Sequence, residues 1–319
     1  MLMRFAAALC LLLACACTQA QASRVETLKI AAPGLSDESI RVRAYLPPDY
    51  DATQARYDVL YVNDGQDMEA VGLQATLGRL DRMHAIRRII VVAIDMPPDR
   101  MAGYGLFDRA KEKAIAVPTK YGTVGANAWI YARWLTQTLV PLVDARYRTI
   151  ASPEGRAILG WSLGAVSAFG IGWQYPELFG RAGAFSPSLW LSTDAYDANA
   201  VQSTRIVHAL VAEGAPANKP QLFFAVGSDE DTSDRDGDGV ADVLDDTRDL
   251  IDGWTSRDGT LHKGLGQFGY GGEDAGGTGR GDATLFLLDG GKHDQASWAR
   301  MLPAFLRWAY AERTAPGMR

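Results

Sequence analysis

The residues with the clearest chemical potential are Gly160-Trp161-Ser162-Leu163-Gly164, a G-x-S-x-G pattern that ends the apolar run 157–159 and opens a small-residue stretch reaching Ala168. A strand that turns sharply into a helix lifts the central hydroxyl clear of the sheet edge, where it can act as a nucleophile. Gly160 and Gly164 suit that turn because side chains there would collide where strand and helix crowd together. The same letters also occur in ordinary turns, so the pattern gains weight only with partners: a base, an orienting acid and donors for an oxyanion.

Only four histidines are available as the base. His84 lies among Arg82, Arg87 and Arg88 on what reads as a solvated helix, and His208 sits on an apolar face between Val207 and Ala209. Both read as structural. In elbow enzymes the chain order is serine, acid, histidine, which leaves His262 and His293. His293 follows the last predicted strand in Gly290-Gly291-Lys292-His293-Asp294 and precedes a final amphipathic helix, so it falls at the carboxyl edge of the sheet with the serine. His262 lies in a hydrophilic loop, and His293 is preferred.

The acid belongs just after the predicted strand 221–226, where Gly227-Ser228-Asp229-Glu230-Asp231 offers three carboxylates. A Gly-x-x-acid spacing selects Glu230, with Asp229 in reserve and Asp231 third. For the oxyanion, backbone N–H donors are expected at Leu163, directly after the serine, and at Gln66 in the turn Asp64-Gly65-Gln66 after an early strand.

The elements that must position these groups alternate. Strands are expected within 25–46, at 58–62, 89–94, 157–159, 182–185, 221–226 and 284–288. Helices lie between them, including a long helical region over 126–147 with a break at Pro141, and a closing helix over 295–311 bent or restarted at Pro303. Buried strands each followed by a helix indicate an α/β fold with a mainly parallel sheet. Residues 264–281 hold nine glycines and read as a mobile surface loop.

Residues 1–22 read as an export signal: Arg4, the apolar run 5–16 and the small-residue site Ala20-Gln21-Ala22. The remaining 23–319 form one domain. A second reading of the leader is a lipobox at 12–15, with Cys15 lipidated and anchoring the protein to a membrane. Cys10, Cys15 and Cys17 all lie in the leader, so the domain after cleavage at Ala22 must be stable without disulfides. An exported location follows, periplasmic or secreted, with no later run long enough to cross a bilayer.

Lys and Arg number 32 against 38 Asp and Glu. The imbalance is local to 229–246, where nine acids face the single Arg235 and the rest of the chain is near neutral, and no basic stripe supports nucleic-acid binding. Residues 234–245 can be laid on a twelve-residue calcium loop: Asp234, Asp236 and Asp238 at positions 1, 3 and 5, Gly239 at 6, Val240 offering its carbonyl at 7, Asp242 at 9 and Asp245 at 12. It resembles dockerin and thrombospondin-type loops, in which Asp can close the site. A structural Ca2+ is expected that rigidifies the loop carrying Glu230, and no cofactor is expected for catalysis.

Several further segments carry a resemblance over nearly all of the chain after the leader. They are residues 45–50 (YLPPDY), 60–65 (LYVNDG), 139–141 (LVP) with 147–149 (YRT), 175–180 (YPELFG), 185–190 (FSPSLW) and 290–294 (GGKHD) with Trp298. Together with the elbow, these resemble the esterase family of α/β hydrolases that includes enterochelin esterases, esterase D, feruloyl esterases and mycolyltransferases. The resemblance implies an α/β-hydrolase fold, Ser162 as nucleophile, His293 as base, an acid after Gly227 and backbone donors at Gln66 and Leu163. It implies a small-molecule, glycan or lipid ester as substrate. Two departures stand out: Ala165 replaces a second glycine after the elbow, and the acidic insertion interrupts the region after Gly227. Acyl transfer to a sugar hydroxyl, and a calcium-stabilised binding protein on an inactive scaffold, are the alternatives.

Overall fold

Residues 58–62 (DVLYV) and 89–94 (IIVVAI) are buried at every position, so each needs cover on both faces of a sheet. The computed structural model, which describes residues 24–256, 258–274 and 282–311, supplies that cover. The leader expected at 1–22, with Cys15, lies outside the described residues.

Among the described residues the central sheet has nine strands. In chain order they are β1 (Arg24–Ala31), β2 (Ser39–Leu46), β3 (Asp58–Val62), β4 (Ile89–Ile94), β5 (Arg156–Trp161), β6 (Arg181–Phe185), β7 (Gln221–Gly227), β8 (Gly272–Asp274) and β9 (Ala283–Leu288). Across the sheet they run β1-β2-β4-β3-β5-β6-β7-β9-β8. The pairs β1/β2 and β2/β4 are antiparallel, and every other pair is parallel. This is the expected α/β-hydrolase architecture, with helices on both faces.

Successive strand residues point to opposite faces, which splits the interior in two. Val59, Tyr61, Ile90, Val92 and Ile158 belong to one core, closed by the helical region at 128–146, α2 (Leu163–Gln174) and α3 (Ile206–Ala212). Leu60, Val62, Val91, Ala157 and Leu159 belong to the other, closed by α1 (Leu73–Arg82) and α5 (Gln295–Tyr310). No helix of the described residues is long and apolar enough to cross a membrane.

Two expectations need correction. Pro141 does not break its helix: Ala128–Trp134 runs through a π-helical turn at Leu135–Leu139 into Val140–Arg146. The wider turn makes room for the proline ring, which would otherwise strike the carbonyl four residues earlier. Nor is 264–281 simply a loop. Leu265 and Tyr270 are buried, a short 3₁₀ turn spans Leu265–Phe268, and β8 pairs in parallel with β9. Two apolar anchors are enough to tie a glycine-rich segment to the body; residues 275–281 lie outside the described residues.

The tightest backbone approach is at the elbow, where a Cβ on Gly160 would lie 2.1 Å from the Gly164 carbonyl oxygen. Gly160→Ala is therefore expected to cost about 3 kcal/mol or more of stability in urea unfolding, since backbone must shift on both sides of the turn.

Candidate active site

Ser162 follows β5 and precedes α2 with φ 58 and ψ −125, a conformation that non-glycine residues rarely adopt. The neighbouring strand holds it there: its N–H donates to the Phe185 carbonyl at 3.0 Å. The Leu163 N–H belongs to the first turn of α2, where helical N–H groups have no intrahelical acceptor. The Ser162 hydroxyl lies 3.5 Å from the Ser188 hydroxyl, and the Ser188 N–H reaches the Ser162 carbonyl at 3.4 Å.

The structure brings His293 and Glu230 together. His293 Nδ1 is 3.1 Å from Glu230 Oε2, with the Glu230 side chain 1% exposed and the imidazole 42% exposed. Glu230 Oε1 accepts two further hydrogen bonds, from Ser186 Oγ and from the Gly227 N–H, each 2.6 Å. An ionised carboxylate only accepts, so the proton of the imidazole resides on Nδ1 and Nε2 keeps its lone pair. Asp229 takes part differently: its N–H donates to the Gly291 carbonyl and its carboxylate accepts from Ser228. Asp231 accepts from the Ser233 N–H, and burial, then the charge of Asp242, raises its pKa.

A relay of aromatic and hydroxyl groups backs the acid. Ser186, fully buried with φ 45, accepts from the Trp298 indole N–H at 2.8 Å. Trp298 stacks on Trp161 at 5.3 Å and meets the His293 ring edge-on at 5.6 Å. The Trp161 indole in turn donates to Asp67 at 3.1 Å. Trp161 is thus a core residue. Gly227 packs its Cα against Gly291, where a Cβ would lie 2.2 Å from the Gly291 carbonyl oxygen. That contact presses the loops carrying Glu230 and His293 together.

The second expected donor, Gln66, lies in a 3₁₀ turn at Gly65–Met68 beyond β3. Its side chain is occupied: the amide Nε2 donates to Asp64 at 3.3 Å and Oε1 accepts from the Met96 N–H at 3.0 Å. Asn63 ties this loop to the elbow through a 2.8 Å bond from its amide to the Gly164 carbonyl.

The family model described as "Putative esterase" matches residues 35–308. The chain belongs to that esterase family. It is 24% identical over 191 residues to YbbA of Bacillus subtilis (strain 168), itself described as uncharacterized, spanning 60% of this chain and 68% of YbbA. Among solved structures it is similar to a ferulic acid esterase, with 18% identity, TM-score 0.62, and coverage of 90% of this chain and 97% of that one. It is also similar to the enterobactin esterase FES from Shigella flexneri, solved in the presence of enterobactin, at 16% identity and TM-score 0.64. That match covers 92% of this chain and 60% of the other. At such identities the likeness to solved structures is one of fold.

In this esterase-family chain, a cavity of about 290 Å3 opens at the carboxyl edge of the sheet, with Ser186, Ser188, Trp190, Asp231, Arg235 and His293 in its wall. The acidic insertion therefore borders the site. Asp234, Asp236 and Asp238 bring carboxylate oxygens within 4.8 Å of one another. Asp242 and Asp245 are not in that group. Asp242 opens α4 (Asp242–Asp252) and is taken by the Arg235 N–H at 2.8 Å and by its guanidinium at 3.2 Å. Asp245 sits in the first turn of α4, where burial and the charges of Asp249, Asp236, Asp238 and Asp246 push its pKa up to about 7.

The other histidines stay apart from the site. His84 is exposed with φ 49 in the turn after α1, so it does not lie on the helix itself. His208 is buried against the Asp246 carbonyl, and His262 stacks on Trp254 at 3.9 Å. Ser186, Ser188 and Arg100 went unselected as individual residues. The segment FSPSLW contained the two serines, but nothing local distinguishes Arg100. Ser186→Ala removes a donor from buried Glu230 and the acceptor of the Trp298 indole, and should lower stability by about 1–3 kcal/mol in urea unfolding.

Proposed function

We propose that the chain is an exported serine esterase that hydrolyses a carboxylic ester through an acyl-enzyme on Ser162. The observations that carry this reading are the His293–Glu230 hydrogen bond and, following another strand of the same sheet, a serine held at positive φ on a strand-to-helix turn, its hydroxyl 3.5 Å from that of Ser188, which shares a cavity wall with His293. In this mechanism His293 Nε2 accepts the Ser162 proton as Oγ bonds to the ester carbonyl carbon. Glu230 keeps the imidazole in the required tautomer and stabilises the imidazolium. The Leu163 and Gln66 N–H groups receive the oxyanion, a role in which one donor is worth about 10²–10³ in kcat. His293 then protonates the leaving alcohol, and water repeats the sequence to release the acid. The names of the ferulic acid esterase and enterobactin esterase neighbours support a carboxylic ester as the substrate class. Export rests on the leader at 1–22.

A fluorophosphonate probe should label the wild-type protein and leave Ser162→Ala unlabelled. Glu230→Gln should reduce kcat by about 10⁴, while Asp229→Asn should leave it within a few-fold. Absence of labelling in the wild type would favour a binding protein instead, and an ester product formed from an added alcohol would identify acyl transfer.

The same reading includes a structural calcium ion on the acidic insertion. The donor set suits a hard cation. Asp234 accepts the N–H groups of Gly237, Asp238 and Gly239, and Asp238 accepts that of Val240, which curls the loop around its carboxylates. Asp234, Asp236, Asp238, the Val240 carbonyl and Asp245 would hold the ion, with Asp242 committed to Arg235. A chelator should lower Tm by several degrees and added Ca2+ should restore it; an unchanged Tm would remove the ion from this account.

A further inference from the structure

We infer that Arg100 is a positioning residue of the proposed esterase site, one that fixes both halves of the oxyanion-binding site and cancels the charge of Asp64 beside it. The inference rests on the esterase reading. Asp64 is 1% exposed and sits at the left-handed position φ 54, ψ 46 between β3 and the turn carrying Gln66. Its carboxylate meets Arg100 through two parallel contacts, Nε to Oδ1 and Nη2 to Oδ2, each 2.8 Å. Arg100 Nη2 also donates to the Trp161 carbonyl at 3.3 Å. One guanidinium therefore grips the residue two before Gln66 and the residue two before Leu163, the two proposed donors.

The placement of the Asp64 carboxylate gives the contact an electrostatic consequence. A Cβ on Gly164 would lie 2.7 Å from Asp64 Oδ2, so a buried negative charge touches the turn that would carry the developing oxyanion. Left alone, that charge would oppose the transition state, and low-dielectric surroundings would strengthen the opposition. The planar fork of Arg100 answers both oxygens at once. The guanidinium is itself stacked 5.3 Å from the Tyr104 ring, whose hydroxyl accepts the Asp64 N–H at 3.1 Å. A lysine could restore the charge but not the fork or its reach to Trp161.

The test uses 4-nitrophenyl acetate for turnover and phenylboronic acid as a tetrahedral mimic, with kcat expressed per site labelled to completion by fluorophosphonate. Arg100→Met should lower kcat ~100-fold with KM nearly unchanged, and weaken boronate binding in parallel. Arg100→Lys should fall about tenfold. Adding Asp64→Asn to Arg100→Met removes the stranded carboxylate and should recover about tenfold over Arg100→Met alone. A merely structural ion pair would reduce the number of folded sites and leave kcat per site unchanged. The inference is overturned if Arg100→Lys and Arg100→Met both turn over within about twofold of wild type per site, or if the double variant is no faster than Arg100→Met. If Arg100→Met fails to fold, Arg100→Lys decides alone. A wild-type protein that neither labels nor hydrolyses the ester overturns the esterase reading, and this inference with it.

Discussion

The backbone contact between Gly160 and Gly164 is the constraint on which the rest of the site depends. The Gly164 carbonyl is packed where a side chain on Gly160 would stand, and the tight turn between the two glycines holds Ser162 at φ 58. Such a conformation costs on the order of 1–3 kcal/mol and persists only where its surroundings over-determine it. Here they do. The Ser162 N–H is held by β6, the Ser162 carbonyl by Ser188, the Trp161 carbonyl by Arg100 and the Gly164 carbonyl by Asn63.

The strain at Ser162 has two counterparts. Asp64, Ser162 and Ser186 all have positive φ, and they follow β3, β5 and β6, which are adjacent in the sheet. The other two non-glycine residues at positive φ among the described residues, His84 and Glu112, lie in exposed turns. Three neighbouring parallel strands thus each end on a backbone reversal at one edge. The middle reversal presents a hydroxyl, one flank holds the loop with Gln66, and the other holds the hydroxyl that fixes Glu230. Parallel strands start and stop together, so a shared edge is where three such reversals can meet.

The alternation of apolar strands and helices was enough to read the fold, because fully buried parallel strands announce themselves as short apolar runs. Chain order and spacing single out Ser162, His293 and Glu230 as candidates, and the structure adds the His293 contact that sets Glu230 apart from Asp229 and Asp231. What escaped reading is what depends on distant pairings. Arg100 is an ordinary arginine after two prolines until Asp64, thirty-six positions away, folds against it. The π-helical turn before Pro141 and the burial of Leu265 and Tyr270 likewise come from tertiary packing that no local pattern encodes.

The acidic insertion divides into two electrostatic regimes. Its inner half is answered by arginines: Asp246 by Arg205 and Arg235, Asp249 by Arg205, and Asp242 by Arg235. Arg205 is completely buried, so this half is bolted to α3 and its neighbours by charges that cannot be exposed without large cost. In the outer half, Asp234, Asp236 and Asp238 converge at the surface. Glu230 hangs from neither half, being fixed to Gly227 and Ser186 on the sheet side. A cation at the outer loop would therefore stiffen the rim of the cavity through Arg235 more than it would move the acid. Its effect would be felt in stability and in the shape of the cavity rim, ahead of any effect on the His293–Glu230 contact.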